Sequence, residues 1–333
     1  MSKKNLVILG TGGTIAGVAE SPLHNVSYQA AQLDVADLLA KIPMSIGAHA
    51  GFTWFTEQVF QIDSKDMVFK HWVVLAQRVL HHLQNDAVSG VVITHGTDTL
   101  EETAFFLYRV LPADLLAIKP VVITCAMRPA TSLLFDGTQN IQDALTVAAT
   151  EGARGVLVAC AGVLHSALWV QKIHTYKLDA FDSGDAGALG VIEEGSLRLH
   201  YQWPEPANAA LPAYDLHILH TLAWPRVEIV LNYVGADGAI VHMLCAASSE
   251  PQSVVKGLIV AGTGNGTLSQ SLQAALLQYQ SVGIRVQRCT RCAYGRLQSD
   301  ATNPSPIEVS GFASPVKARI DLMLALMYGA SSV

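Results

Sequence analysis

Two short stretches carry the residues best suited to chemistry. The first, "LVILGTGGTIAG" from Leu6 to Gly17, runs from apolar residues into a loop of four glycines that also holds Thr11 and Thr14. The second, "THGTDT" from Thr94 to Thr99, again follows an apolar run and sets Thr97 beside Asp98. A third cluster, Asp63-Ser64-Lys65-Asp66, follows "VFQI". Glycine-rich loops after strands commonly hold phosphate, so the first stretch poses a choice between nucleotide binding and hydroxyl chemistry. The dinucleotide fingerprint G-x-G-x-x-G is met by Gly10 and Gly12 but broken at Ile15; only the looser form ending at Ala16 fits. The ribose-binding acid is missing, because Asp34 sits in the polar, helix-like stretch "AAQLDVADLLAKI" rather than at a strand end. A P-loop is excluded, since no Gly-Lys-Ser/Thr occurs there.

The hydroxyl reading accounts for more of the residues. Glycines around Thr14 allow close backbone approach and leave its hydroxyl unshielded. A threonine nucleophile needs a base, and a lysine relieved of its proton could serve Thr97 in the same way. A plainer role exists for Thr97, Asp98 and Thr99, which are residue types favoured as caps of a helix starting near Leu100. Glycine and threonine recur after two buried strands, the second time with aspartate beside them, and that combination favours a site.

The elements that position these loops form an alternating series. "LVILG", "VFQID", "VVITHG", "VVITC" and "GVLVAC" read as buried strands, and Asp66 to Gln84, Thr99 to Leu111 and Thr138 to Glu151 carry apolar residues at helical spacing. This pattern predicts a mostly parallel sheet covered by helices, with ligands beyond the carboxyl ends of its strands. After Val156 the segment "VLHSALWVQKIHTYKL" reads as a β-hairpin turning at Ser166-Ala167. The proline- and alanine-rich stretch 201–225 reads as a linker between a larger α/β domain at 1–200 and a smaller α/β domain at 226–333. In the smaller one, "VEIVLNY", "GLIVAG" and "IRVQRC" are the expected strands, with helices near Ala236 to Ala247, Leu268 to Gln280 and Pro315 to Tyr328.

Composition bounds the partners. Of 333 residues, 50% are hydrophobic and 14% charged, as expected where strands are covered on both faces. With 21 basic against 27 acidic residues, a formal net charge of −6 and no basic run, neither nucleic acid nor an anionic membrane is an expected partner. Five sparse cysteines suit a reducing compartment. The single C-x-x-C of Cys289 and Cys292 lacks the second ligand pair of a structural zinc site, and the adjacent His81 and His82 and the isolated His95 form no metal motif. No metal or organic cofactor is therefore expected. The basic "MSKKN" is followed by too short an apolar run for a signal core or membrane span, which predicts a cytoplasmic protein.

At "TGGTIAG" (Thr11 to Gly17) and "THGTDTLEETAFFL" (Thr94 to Leu107) the chain resembles the bacterial L-asparaginase/glutaminase family. The likeness extends through "AMRP" (Ala126 to Pro129), "FDG" (Phe135 to Gly137), "GVLVAC", "GNGT" and "GFASPVKARIDLMLAL", covering nearly the whole chain. The resemblance implies hydrolysis of L-asparagine to aspartate and ammonia through a β-aspartyl enzyme ester. Thr14 would be the nucleophile, with Tyr28, in the mobile segment Val18 to Gln29, helping to take its proton; Thr97, Asp98 and Lys172 would form the second constellation. Substrate would be bound by Gly13, Ser64, Lys65, Gly96, Thr97 and Asp98, with Ser64 and Asp98 on its α-carboxylate and α-amino groups and the Thr97 N–H on the oxyanion. A homotetramer built as a dimer of dimers, with sites at the dimer interface, is implied as well.

The sequence departs from the family at three points. Lys65 replaces the usual Gln or Glu after Ser64, Thr267 stands where an asparagine is common, and no acidic residue precedes Asp300 in the segment that would supply the neighbouring subunit's acid. A glutaminase-asparaginase of broader specificity, a non-catalytic amino-acid sensor on the same fold and a nicotinamide-dependent oxidoreductase are the competing expectations. A tRNA-dependent amidotransferase subunit is disfavoured because the first motif starts at Thr11.

Overall fold

The computed structural model describes residues 4–40, 51–204, 215–246, 253–298, 302 and 305–329. These fall into two compact units, 1–220 and 221–333.

The first unit is built on an eight-stranded sheet. Its strands are β1 (Asn5–Gly12), β2 (Thr53–Ile62), β3 (Val88–Thr94), β4 (Val121–Thr124), β5 (Val156–Cys160), β6 (Val163–Ser166), β9 (Gly190–Glu193) and β10 (Ser196–Leu199), while β7 (Gln171–Lys172) and β8 (Phe181–Asp182) form a separate antiparallel ribbon. The sheet order is β10-β9-β6-β5-β4-β3-β1-β2. β2, β1, β3, β4 and β5 run parallel, and β6, β9 and β10 add antiparallel pairings. The connecting helices are α1 (Val35–Leu39), α2 (Phe69–Leu83), α3 (Leu100–Val110), α4 (Ala113–Leu116) and α5 (Gly137–Ala149).

The continuous apolar runs are strands because both faces are covered: Leu6, Val7, Ile8 and Leu9 of β1 and Val91, Val92 and Ile93 of β3 are all buried. Helix α2 presents a single apolar stripe, whereas α3 and α5 are buried over most of their circumference. In α2 this stripe is Trp72, Val73, Leu75, Ala76, Val79 and Leu83. β1 pairs with β2 on one side and with β3 on the other. The direction of strand addition therefore reverses at the carboxyl ends of β1 and β3, the crevice where open parallel sheets bind ligands.

The hairpin differs from the sequence expectation. β5 and β6 are joined by Ala161 and Gly162, with φ of 51° and 74°, so the hairpin turn lies there; the chain also turns at Ser166, whose carbonyl accepts the Trp169 N–H at 3.1 Å, but β7 beyond it pairs with β8 rather than with β6. Two successive positive φ values are the geometry that tight hairpin loops require. Gly162 signals it, but the preceding alanine conceals it. Asp34 does head a helix: its carboxylate caps α1 by accepting the Asp37 N–H at 2.8 Å.

The second unit carries a parallel sheet, β11 (Arg226–Leu231), β12 (Val255–Gly262), β13 (Arg285–Thr290) and β14 (Glu308–Val309), in that order. Its helices are α7 (Ala239–Leu244), α8 (Gln270–Gln280) and α9 (Pro315–Tyr328). Pro315 at the first helical position and Gly329 at φ 65° fix the two ends of α9 as the sequence predicts. Within the expected linker, residues 205–214 lie outside the described ones, and Leu216–Thr221 form a short helix, α6.

Candidate active site

The loops after β1, β2 and β3 converge in the first unit. Gly13 has φ 80° and ψ −170°, a region open essentially to glycine alone. A Cβ there would collide with the backbone of Gly96. A Cβ on Gly96 would in turn lie 2.5 Å from Ser64 Oγ. The first and third loops thus touch backbone to backbone, the second meets Gly96 through the Ser64 side chain, and the residues that follow the touching glycines are Thr14 and Thr97.

The two threonines of the first loop have different duties. Thr11 is buried and its hydroxyl donates to the Thr94 carbonyl at 2.8 Å, tying β1 to β3. Thr14 opens a single 3₁₀ turn (Thr14–Ala16), and its Oγ1 lies 2.7 Å from the Tyr28 hydroxyl. Burial pushes the Tyr28 phenol up from its ordinary value, against the hydrogen bond to Thr14 that lowers it; Asp63 and Asp98 raise it further and Lys65 lowers it. Tyr28 therefore keeps its proton at neutral pH and is suited to relaying one rather than acting as a standing phenolate.

Tyr28 belongs to Val18 to Gln29, whose ends pair with each other. The Ala19 N–H donates to Thr131 Oγ1 at 2.9 Å, Ser132 Oγ donates to Asn25 Oδ1 at 2.7 Å and the Leu133 N–H donates to the Pro22 carbonyl at 3.1 Å. The segment is held over Thr14 by the loop that follows "AMRP". That loop is fixed by Asp136, which accepts the N–H groups of Met127 and Arg128 at 3.0 Å each. This explains why "AMRP" and "FDG" occur together. Arg128 reaches the Tyr176 carbonyl at 2.9 Å, and its guanidinium sits 4.1 Å from the Tyr176 ring centre.

The second constellation assembles around Lys172 on β7. Its Nζ donates to Thr97 Oγ1 at 2.8 Å and to Asp98 Oδ1 at 2.7 Å. Lys172 is thus no surface lysine lying along the hairpin: its side chain is 19% exposed and faces the β3 loop. Nor do the threonines cap α3. Thr99 makes no side-chain cap, and its hydroxyl donates instead to the Ser64 carbonyl at 2.9 Å. Ser64 itself is buried, at the start of a short 3₁₀ turn after β2.

Lys65 turns back onto its own loop. Its Nζ lies 2.5 Å from Asp63 Oδ2 and 3.2 Å from Asp66 Oδ2, and those two carboxylates raise its pKa. Its positive charge is neutralised locally. His95, between β3 and Gly96, is fully buried; desolvation lowers its pKa to about 4, so it is a neutral packing group whose Nδ1 meets the Gly96 carbonyl at 2.7 Å.

In the second unit, Thr267 Oγ1 donates to the Thr263 carbonyl at 3.0 Å, closing the turn of "GTGNGT", and the Ser269 N–H donates to Asn232 Oδ1 at 3.1 Å beside it. Asp300 lies outside the described residues. Cys289 is buried, which pushes its thiol up to about 12, while Cys292 is exposed. Among the described residues no group of three or more His, Cys, Asp or Glu side chains is arranged to hold a metal, and no helix is long and apolar enough to cross a membrane.

A cavity of about 1070 Å³ runs along α5 and β9, lined by Asp143, Gln139, Ile192 and Glu194 among others. Asp136 reaches its edge, but none of Thr14, Tyr28, Ser64, Thr97, Asp98 and Lys172 lines it. Asp143 is 1% exposed, accepts the Gln139 amide at 2.7 Å and has its carboxyl pushed up to about 6 by burial. The cavity offers no paired nucleophile and base, so size alone does not make it the active site.

Sequence reasoning missed Thr131, Ser132 and Glu101. The first two are ordinary loop residues until the fold brings Ala19 and Asn25 to them. Glu101 accepts the backbone N–H of Lys172 at 2.6 Å. It stands inside the second motif, where acidic residues in the first turn of a helix are common for reasons of the helix dipole.

An α/β unit with both sheet faces covered and paired threonines at the switch point of its parallel strands defines a protein built for hydroxyl chemistry on a small ligand. The chain belongs to the asparaginase family: residues 5–205 match the family described as asparaginase, N-terminal, and residues 226–332 the glutaminase/asparaginase C-terminal domain. It is 35% identical to a glutaminase-asparaginase of Pseudomonas fluorescens biotype A, over 97% of this chain and 86% of that one. It is equally 35% identical to L-asparaginase 2 of Escherichia coli strain K12, over 97% and 88% of the respective chains. The crystal structure of a probable cytoplasmic L-asparaginase from Campylobacter jejuni superposes with a TM-score of 0.84 at 32% identity, covering 97% of this chain and 95% of that one.

Proposed function

We propose that this protein hydrolyses L-asparagine to L-aspartate and ammonia through an ester on Thr14. The observation that carries the reading is the meeting of two hydroxyl constellations, Thr14–Tyr28 and Thr97–Lys172–Asp98, on loops in backbone contact at Gly13 and Gly96. Thr14 Oγ1 attacks the side-chain amide carbon while its proton passes to Tyr28. The tetrahedral intermediate's oxygen takes the Thr97 N–H, an arrangement of fixed donors that stabilises charge as it develops. The C–N bond breaks, the amide nitrogen takes up a proton and leaves as ammonia. Water then attacks the ester, Thr14 recovers its proton, and aspartate is released.

Substrate recognition is assigned to Ser64 and Asp98, for the α-carboxylate and α-ammonium, with Gly13 and Gly96 allowing close approach. Asp98, at 54% side-chain exposure, keeps a face open to an ammonium while its Oδ1 binds Lys172. Lys65, paired to Asp63 and Asp66, acts at the rim rather than against the substrate's ammonium. A second reading, glutaminase-asparaginase, is favoured by the relative of that name being as similar as the one named L-asparaginase. A one-methylene difference changes binding by about 1–3 kcal/mol. Ammonia release from L-asparagine, D-asparagine and L-glutamine across concentrations tests both. Turnover of L-asparagine with a higher kcat/KM than L-glutamine supports the first; absence of ammonia from all three, with aspartate still bound, supports the sensor.

We further propose domains at 1–200 and 226–333 joined by 201–225, a homotetramer with sites completed across an interface, and a cytoplasmic location. Light scattering that finds an active monomer overturns the assembly, and cell fractionation tests the location.

A further inference from the structure

Lys172 sits more than seventy positions from Thr97 in the chain, so the geometry of the second constellation depends on how the β7–β8 ribbon is docked against the β3 loop. β7 contributes only Gln171 and Lys172, paired to Asp182 and Phe181. A two-residue ribbon cannot hold a long lysine side chain in place by its own ladder. On the ribbon's inner side, the N–H groups of Ile173 and His174 donate to the Ala180 carbonyl at 2.8 and 3.2 Å. The N–H of Lys172 points to the other edge and donates to Glu101 Oε2 at 2.6 Å.

Glu101 stands in the first turn of α3, only three residues beyond Asp98. One short segment, 97–101, thus grips Lys172 at both ends: Thr97 and Asp98 take the ammonium, and Glu101 takes the backbone. The charge-assisted bond to the backbone fixes where the side chain starts; the other two fix where it finishes.

We infer that Glu101 is a positioning residue for the reaction, setting the approach of Lys172 to Thr97 by anchoring the Lys172 backbone. The inference rests on the proposed role of Lys172. Loss of the anchor lets the ribbon edge drift, and misplacement of a catalytic group by about 1 Å can cost on the order of a hundredfold in rate. Glu101 meets Lys172 through its backbone and leaves in place both Ser64 and the open face of Asp98, the proposed grips on the α-carboxylate and α-ammonium, so the effect falls on kcat rather than KM.

The test is steady-state ammonia release by the full-length protein as wild type, E101A, E101Q, K172M and the E101A/K172M double variant, each with its melting temperature recorded. E101A is expected to lower kcat about tenfold or more with KM within about twofold. E101Q keeps an acceptor of the same shape without the charge and is expected to lose about threefold; it carries the test if E101A does not fold. In the K172M background, E101A is expected to cause no further fall in the residual rate. Wild-type kcat in both Glu101 variants, or the same fractional loss with and without Lys172, overturns the inference. Wild-type kcat in K172M overturns the reading of Lys172 itself, and the inference with it; an inactive K172M beside a fully active E101A removes the inference alone.

Discussion

Gly13→Ala is the substitution whose consequence follows most directly from the geometry. The backbone of Gly13, at φ 80° and ψ −170°, is strained for any other residue by about 1–3 kcal/mol. The added methyl also collides with the Gly96 backbone, and main chain in a β-strand loop cannot move aside as a flexible side chain would. Overpacking of this kind costs about 1–3 kcal/mol more. The sum, about 2–6 kcal/mol, corresponds to a melting midpoint lowered by roughly 4–24 °C for a unit of this size. Because relief requires the two loops to separate, ammonia release should fall more than stability alone explains, as Thr14 and Thr97 move apart. Gly51→Ala is the control: nothing lies within 4 Å of its would-be Cβ, and its stability change should stay within about 0.5 kcal/mol. A G13A protein that melts with wild type and retains full turnover would refute the claim that contact between the two glycines positions the site.

Three other outcomes are expected. Tyr28→Phe removes the 2.7 Å bond to Thr14 and should lower kcat about 10²–10⁴-fold in ammonia release, with little change in melting temperature; near-normal kcat excludes Tyr28 from proton transfer. Asp143 has a folded pKa of about 6 against an ordinary 3.8, so the folded state holds the proton more tightly and wild-type stability falls as pH rises between those values. Asp143→Asn should therefore gain on wild type in thermal melts from pH 4 to 7, by about 1–3 kcal/mol at the upper end, and a pH-independent difference would contradict that. His95, with a folded pKa of about 4 against 6.5, opposes folding as pH falls from 6.5 to 4, and its ring resonances should not titrate above pH 5 in NMR spectra.

Much of the first unit is legible in the sequence because its strands are covered on both faces, which leaves continuous runs such as Leu6 to Leu9 that no other element would tolerate in water. The ends of α9 are legible because Pro315 and Gly329 each satisfy a specific backbone demand. The β5–β6 turn is less so, since only Gly162 marks it while Ala161 adopts φ 51° although alanine rarely does. At the site, Thr14, Thr97 and Asp98 declare themselves by position after buried strands. Lys172 and Tyr28 carry no such signal: alone, each is an ordinary residue on a ribbon or loop, and only family likeness singles them out. Glu101 is hidden for a different reason, since the bond by which it meets Lys172 is to main chain, which any residue type at that position would offer. The dinucleotide reading of the glycine loop is displaced by a local fact, that the Gly13 N–H donates to the Ile62 carbonyl at 2.9 Å where a phosphate cradle would need it open.

The identity of the nucleophile is tested most directly by quenching the enzyme during turnover of L-asparagine and locating the trapped adduct by mass spectrometry, with Thr14→Ala run in parallel. One aspartyl group is expected on the peptide that carries Thr14, absent from T14A, whose ammonia release should fall to background. An adduct on any other residue, or ammonia release that survives in T14A, would contradict it.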